Sequence, residues 1–225
     1  MAKEELFDRV VSVLVLLVAI ASLSLIGLRY FSGPPPAAPT GNSATRVESW
    51  KSRSGGAVRT LSTHGSGRVV VTVFTDFQCP FCRRMDSLLT DYSRSKPGLL
   101  ALQIVHLPLP MHANAKGAAH AFECALRQGQ PDTFASALYA QQSEFGSVSW
   151  DSLAGISGIR SVDKFRECMR SPMPTEVSAG LQLAKDLGIS VTPTVVVDDW
   201  LIRPAEPEYV FRSIEAVAAG RKPKP

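Results

Sequence analysis

The sequence predicts an α/β domain with a block of helices inserted between two groups of strands. Three observations support this prediction. An apolar, β-branched run stands directly before a helical pattern, a second apolar run follows it, and a long Ala-rich helical region precedes two short strand patterns. The chain has 225 residues, enough for one such domain and an accessory segment. Its net charge of +4 is mild, and basic residues are not interleaved with aromatic residues, so nucleic-acid binding is not predicted.

The first 28 residues are predicted to form a membrane anchor. Residues 10–28 are a run of 19 residues without a charge, which as a helix would reach across roughly the 30 Å of a bilayer core. A cleaved signal peptide is the alternative, but its apolar region usually has about 7–15 residues. We therefore expect one uncleaved N-terminal transmembrane helix. Lys3 and Arg9 precede the run and Arg29 follows it, which slightly favours a cytoplasmic N-terminus.

Residues 29–59 are predicted to form a linker between this anchor and a folded domain. They are rich in Pro, Gly, Ser and Ala, a composition that buries too little apolar surface to order itself. The folded domain is therefore expected to cover residues 60–225.

The domain is expected to begin with a βαβ unit. Residues 69–74 are almost all apolar, as in a central buried strand, a helical pattern covers residues 83–92, and a second strand pattern covers residues 99–107. This order predicts two parallel strands joined by a right-handed crossover.

The helical insertion is predicted over about residues 113–187 and is followed by a hairpin and a last helix. Thr175 is the predicted N-cap of the fifth inserted helix, and Gly188 ends it. The predicted segments are helices at 114–128, 132–142, 150–156, 162–170 and 175–187, strands at 194–197 and 200–203, and a helix at 206–219.

Two cysteines separated by two residues, Cys79 and Cys82, stand where the first strand gives way to the first helix. A Cys-x-x-Cys motif at such a junction indicates dithiol–disulfide chemistry. The thiolate is the reactive form of cysteine, and the unpaired N–H groups of a helix N-terminus lower a thiol pKa. The alternative is half of a structural zinc site, which needs two further ligands. Cys124 and Cys168 lack a second spacing of this kind.

Over residues 65–220 the chain resembles the DsbA-like thiol:disulfide oxidoreductases of the thioredoxin superfamily. Four features carry the resemblance in order: Asp-Phe-Gln-Cys-Pro-Phe-Cys at 76–82, Leu-Pro-Leu at 107–109 with His112, the helical block, and Gly-Ile-Ser-Val-Thr-Pro-Thr at 188–194. The resemblance implies a thioredoxin-like fold with an inserted helical block, preceded here by the predicted transmembrane helix.

The resemblance also implies roles for particular residues. Cys79 would be the nucleophile that forms a mixed disulfide with a client protein, and Cys82 would be the less exposed resolving thiol. Thr192 and Pro193 would form a cis-proline loop that binds the backbone of the client.

The resemblance implies a structural disulfide between Cys124 and Cys168. Two buried free thiols are the alternative. His120 and Cys124 share a helix face, a spacing compatible with metal binding, but no metal site is expected.

Two departures from the family pattern leave the direction of electron flow open. Many relatives hold a buried carboxylate six residues before the first cysteine, where this chain has Val73. Asp76 is a candidate for the proton transfer, and a polar residue at a strand end is the equally simple interpretation. Phe81 stands where the strongest oxidases of this group carry a histidine.

No nucleotide, flavin or phosphate-binding pattern occurs in the sequence, so we expect no cofactor other than the Cys79–Cys82 dithiol. By resemblance, the clients would be reduced or misoxidised exported proteins, and a quinone-linked membrane protein of the DsbB or VKOR type would recycle the dithiol. The expected location is the bacterial inner (plasma) membrane, with the catalytic domain facing the periplasm or cell exterior. Two alternatives remain open, an extracytoplasmic reductase of the cytochrome-maturation type and a non-catalytic metal-binding module.

Overall fold

A mixed sheet of six strands forms the centre of the computed structural model, which describes residues 14–15, 41–61 and 67–225. The strands are β1 (Ser43–Arg46), β2 (Val58–Thr60), β3 (Val69–Thr75), β4 (Leu100–His106), β5 (Thr194–Val197) and β6 (Trp200–Arg203). Their order across the sheet is β1-β6-β5-β3-β4-β2. The mixed α/β fold is therefore as predicted.

Seven α-helices accompany the sheet in the described part of the chain. They are α1 (Pro80–Ser95), α2 (Ala115–Leu126), α3 (Pro131–Ala140), α4 (Trp150–Ile156), α5 (Val162–Arg170), α6 (Thr175–Asp186) and α7 (Pro207–Ala218). Short 3₁₀ turns are present at Lys51–Arg53 and Gln142–Glu144.

The predicted βαβ unit is present. Strands β3 and β4 pair in parallel over their whole length, with Val69 opposite Leu100 and Thr75 opposite His106, and α1 connects them. The other pairs, β3–β5, β5–β6, β1–β6 and β2–β4, are antiparallel. The hairpin turn predicted between the last two strands is also present, with Asp198 at a φ of 52°.

Both faces of the central strands are buried, which explains why β3 is apolar almost without interruption. On one face, Val71 and Val73 belong to the cluster that includes α1, α7 and the inserted helices. On the other face, Phe74 packs in a second cluster with Trp50 and with Leu183 of α6. The sheet is thus the middle layer between helices, and the end of β3 that carries the cysteine motif is held from both sides.

The folded region begins earlier than residue 60, because β1 and β2 occupy the two edges of the sheet within the segment assigned to the linker. Trp50 lies between them, fully buried, and its Nε1 donates a hydrogen bond to the Asp198 carbonyl. Edge strands satisfy their backbone groups by pairing and need little apolar sequence of their own. The sequences Ser-Ala-Thr-Arg and Val-Arg-Thr therefore gave no strand signal.

The predicted membrane anchor and the linker residues up to 40 lie outside the described residues, apart from Leu14 and Val15. Within the part that is described, no helix combines the length and the apolar character needed to cross a membrane.

Some helix ends differ from the prediction. Helix α1 begins at Pro80, immediately after Cys79. Thr175 is the first residue of α6 instead of its cap, with Pro174 before it. Serine side chains do cap the two preceding helices, since Ser149 accepts from Ser152 N–H and Ser161 from Lys164 N–H.

A buried ionic network ties β2 to the inserted helices. Glu123 of α2 accepts hydrogen bonds from Arg59 Nε at 2.8 Å and pairs with His106 Nε2 at 2.9 Å, while Arg59 also reaches Glu176 of α6 at 2.9 Å. Burial alone would raise the pKa of Glu123, but the hydrogen bonds and charges of His106 and Arg59 outweigh it and lower that pKa. The network fixes α2 and α6 against the sheet.

Candidate active site

Cys79 is the residue directly before α1, in an extended conformation with φ −82° and ψ 120°, and Pro80 follows as the first helical residue. The missing N–H of proline costs nothing at this position. Both cysteines are free thiols and both are buried, Cys79 with 3% and Cys82 with 1% of its surface exposed. Cys79 is slightly more exposed than Cys82, as the resemblance implied, although very little of its surface is accessible.

The two thiols are separated in acidity. The Cys82 side chain donates a hydrogen bond to the Cys79 sulfur, and this bond lowers the pKa of Cys79 most. Burial raises that pKa, but hydrogen bonds from the Thr192 side chain and from the N–H groups of Phe81 and Cys82 lower it further. The resulting pKa of Cys79 is about 5. Burial raises the pKa of Cys82 far above its usual value, and the neighbouring Cys79 adds to this effect. At neutral pH the pair therefore holds one proton, on Cys82.

The loop before β5 lies against this thiol. The Thr192–Pro193 peptide bond is cis, as predicted, and the Thr192 carbonyl oxygen lies 3.5 Å from Cys79 Sγ, from which it accepts a hydrogen bond when Cys79 is protonated. Arg203 supports the base of the loop by donating from Nη2 to the carbonyls of Leu187 and Gly188. The peptide bond between Arg203 and Pro204 is also cis, which was not predicted from the sequence.

Asp76 organises the loop between β4 and α2. Its carboxylate is buried and accepts hydrogen bonds from the backbone N–H groups of Gln78 and Leu109, and it pairs with His112 Nδ1 at 2.8 Å. The backbone N–H of Asp76 donates to Cys82 Sγ at 3.5 Å. These contacts indicate a positioning role for the carboxylate, and its role in proton transfer stays a prediction. They also give His112 a partner within this loop.

Gln142, in the helical block, is a site residue that the sequence analysis missed. Its side chain is buried and donates from Nε2 to the carbonyl of Phe77 at 2.7 Å and to that of Cys79 at 2.9 Å. It therefore holds the segment that contains the motif from the side of the inserted helices. Its contacts bridge more than 60 positions in the chain, and no local pattern marks such a residue.

Two buried hydroxyl groups lie near Cys82, around the same small cavity. Thr75, the last residue of β3, and Tyr139 of α3 are buried, and their oxygens lie 2.6 Å apart. The Thr75 hydroxyl also reaches Cys82, which moderates the rise of the Cys82 pKa.

The structural disulfide implied between Cys124 and Cys168 is present and links α2 to α5. His120 Nε2 contacts the Cys168 carbonyl at 3.1 Å. These three side chains are close enough to share a metal ion, but their sulfur atoms are bonded to each other. In this state they lack the thiolates that a soft metal site requires.

Large apolar side chains are exposed on three of the segments that position Cys79. Phe81 on α1, Met111 before α2 and Val191 in the cis-proline loop have 69%, 79% and 64% of their surface exposed. They lie on the helix that carries the motif, on the loop bound by Asp76 and on the cis-proline loop. We call these three side chains the apolar rim of the site.

Comparisons with known proteins place these features in a family. The family model described as Thioredoxin matches residues 64–216. A thioredoxin-like oxidoreductase from Silicibacter pomeroyi shares 24% identity over 73% of this chain and 93% of its own, with a TM-score of 0.60. BdbD from Bacillus subtilis shares 21% identity over 79% of this chain and all of its own, with a TM-score of 0.62.

ScsC from Proteus mirabilis shares 17% identity over 97% of both chains, with a TM-score of 0.57. No curated protein matches the chain. These identities, at or below 24%, show the fold alone, whereas the family model covers well over half of the sequence. This chain therefore belongs to the thioredoxin family.

Proposed function

We propose that the protein catalyses thiol–disulfide exchange on exported proteins, forming or rearranging disulfides through the Cys79–Cys82 dithiol. One observation carries the proposal: Cys79, with its lowered pKa, lies against the cis Thr192–Pro193 peptide while Cys82 keeps its proton beneath it. Exchange requires an acidic, reachable sulfur and a second sulfur near enough to displace what it binds.

The reaction proceeds through a mixed disulfide. In the oxidising direction, a client thiolate attacks Cys79 Sγ of the disulfide form, the Cys79–Cys82 bond breaks, and Cys82 leaves with the electron pair. A second client thiolate then attacks the client sulfur of the mixed disulfide, which forms the client disulfide and releases Cys79 as a thiolate. Two electrons have moved from the client to the dithiol.

The acidity of Cys79 favours this direction over reduction. A low nucleophile pKa stabilises the reduced dithiol at neutral pH, which makes the disulfide form a better oxidant. Phe81 removes one donor found in the strongest oxidases, but the Cys82 thiol and the N–H groups of the first helical turn supply others. A reductase of the cytochrome-maturation type is the second candidate, and a strongly negative reduction potential would favour it.

The apolar rim suggests which clients are accepted. Phe81, Met111 and Val191 can contact apolar side chains of an unfolded segment, and the backbone beside Thr192 can pair with the extended client chain. Both features suit a client that has not finished folding. Reduced or misoxidised exported proteins meet this description.

The proposed setting is a bacterial plasma membrane, with the dithiol on the periplasmic or outer side. Its support is the uncharged run at 10–28, the disulfide between Cys124 and Cys168, and the rarity of such bonds in the cytosol. Reoxidation would then fall to a membrane redox partner of the DsbB or VKOR type.

The test uses the purified full chain in detergent, with reduced, unfolded ribonuclease A as the client and oxidised glutathione as the oxidant. We expect the chain to accelerate the recovery of ribonuclease activity, and Cys79→Ser to give only the rate of glutathione alone. Equal rates with and without the natural chain would contradict the proposal. Equilibration with glutathione buffers then gives the potential, on a scale where DsbA lies near about −120 mV and thioredoxin near about −270 mV.

A further inference from the structure

The Cys82 thiol has no evident route for its proton. Cys82 must gain or lose a proton whenever the Cys79–Cys82 bond breaks or forms, yet it is 1% exposed. Val73 occupies the strand position from which a carboxylate could serve it. The carboxylate of Asp76 is already engaged by two backbone N–H groups and by His112.

A small cavity next to Cys82 is the first part of a route. It has a volume of about 20 Å³, which is room for one water molecule. Cys82, Thr75 and Tyr139 contribute polar atoms to its wall, and Val73 lines it from the sheet. Among the described residues that line it, the one carboxylate is Asp86.

Asp86 also lines a larger cleft outside. This cleft, between α1 and α3, has a volume of about 580 Å³ and shares Asp86 and Leu61 with the small cavity. Asp86 is half-buried. It is one helical turn after Cys82, so both side chains project from the same face of α1. The carboxylate thus stands between the buried thiol and a cleft that can exchange protons with solvent.

We propose that Asp86 is the proton-exchange group for Cys82, standing in for the carboxylate that Val73 lacks and acting through the small cavity. This inference rests on the proposed function. When Cys82 leaves as a thiolate, protonated Asp86 supplies its proton. When Cys82 attacks the mixed disulfide at Cys79, ionised Asp86 accepts that proton, the Cys82–Cys79 bond forms, and the other thiol departs with the electron pair.

The surroundings of Asp86 suit both halves of this cycle. Burial, and secondly the charge of Asp132, raises the pKa of Asp86 to about 6, so both protonation states are populated near neutral pH. The titratable and charged groups that line the same cavities as Asp86 are Cys82, Arg83, Asp91 and Arg94 on its own helix, and Asp132 and Tyr139 on α3. Among them, the charge of Asp132 is the one that contributes to the raised pKa of Asp86.

The test measures the step that needs the proton transfer. The reduced full chain, mixed rapidly with excess oxidised glutathione, forms the mixed disulfide at Cys79, and acid quenching with mass spectrometry follows its resolution by Cys82. We expect the rate to rise through an inflection near pH 6. Asp86→Asn should slow resolution at pH 7 by on the order of 10²-fold and remove the inflection, whereas Asp91→Asn, an exposed carboxylate on the same helix, should change neither.

A second variant separates proton exchange from structural damage. Asp132→Asn removes the neighbouring negative charge, so the inflection should move to lower pH while the plateau rate is retained. The inference is overturned if Asp86→Asn keeps the natural rate and inflection, or if Asp132→Asn leaves the inflection where it was. A chain that forms no mixed disulfide at all would instead contradict the proposed function.

Discussion

The chain holds two pairs of cysteines whose surroundings differ in almost every respect. Cys79 and Cys82 are two residues apart at a helix start and are free thiols. Cys124 and Cys168 are 44 positions apart on α2 and α5 and are bonded to each other. At the first pair, hydrogen-bond donors converge on one sulfur and burial protects the proton of the other. At the second, two packed helices present their sulfurs directly to one another.

From this difference we expect neighbouring groups, more than burial, to decide which sulfur reacts. Cys79 and Cys124 are both almost inaccessible, with 3% and 1% of their surface exposed. Only Cys79 has the first turn of a helix, a second thiol and the cis-proline loop beside it. The first pair is therefore expected to control rate, and the second to control stability.

Replacing Cys79 tests whether the first pair controls the rate of exchange, and this change should have the largest effect. We expect Cys79→Ser to lower client oxidation on the order of 10³-fold or more, because a hydroxyl cannot form the mixed disulfide. The measurement is recovery of ribonuclease activity. Unfolding by urea should be little changed relative to the reduced natural chain, and a variant that kept its turnover would end the distinction between the pairs.

Removing the second pair should have the opposite pattern. The double variant Cys124→Ala with Cys168→Ala loses a cross-link over 44 positions, and the chain-entropy model gives a loss of at most about 4 kcal/mol in the free energy of unfolding. Urea unfolding without reductant, with Cys79 and Cys82 replaced by Ser in both chains that are compared, measures this loss. The exchange rate per folded molecule should stay the same, and a fall as deep as that of Cys79→Ser would show that the pair takes part in turnover.

The parts of the fold that could be predicted are those specified by local patterns. The βαβ unit follows from two apolar runs around a helical pattern, and the position of Cys79 follows from the motif at their junction. The cis bond at Pro193 and the Cys124–Cys168 disulfide came instead from the resemblance to a family. Spacing alone would have left both open.

The remaining features depend on contacts between distant segments. Strands β1 and β2 carry no periodicity, because backbone pairing at the sheet edges holds them. In the sequence Gln142 looks like any polar residue, and only the folded structure shows that it contacts the motif. Asp86 lies on a helix face whose neighbours, Val73 and Tyr139, come from other segments. Cavities and long-range hydrogen bonds have no counterpart in a local sequence pattern.

Gln142 offers a smaller test of how the helical block supports the first pair. Gln142→Leu keeps the volume but removes the donor to the carbonyls of Phe77 and Cys79. Leaving such buried groups unpaired costs about 1–3 kcal/mol, so we expect lower stability together with slower exchange, by about 10-fold. Ser143→Ala, at the exposed neighbouring position, is the matched control. Lower stability with an unchanged rate would confine Gln142 to a structural role.

Thr192 offers the finest test, because loss of its hydroxyl is expected to change the acidity of Cys79 in the free protein. Its hydroxyl, buried without another hydrogen-bond partner among the described residues, is one of the groups that lower the pKa of Cys79. The thiolate fraction of Cys79 is complete well above pH 5 and falls as the pH drops through about 5. Alkylation of the reduced chain by iodoacetamide should follow this curve.

Thr192→Val removes the hydroxyl with little change of shape, so it should raise the Cys79 pKa and move the alkylation curve to higher pH. One hydrogen bond is worth about 0.5–1.5 kcal/mol, which corresponds to alkylation slower by about 2- to 10-fold on the acid limb and unchanged near pH 8. Thr194→Val is the control, since that hydroxyl donates to the Val191 carbonyl instead. Identical curves for the natural chain and Thr192→Val would leave the Cys82 thiol and the first helical turn to account for the acidity of Cys79.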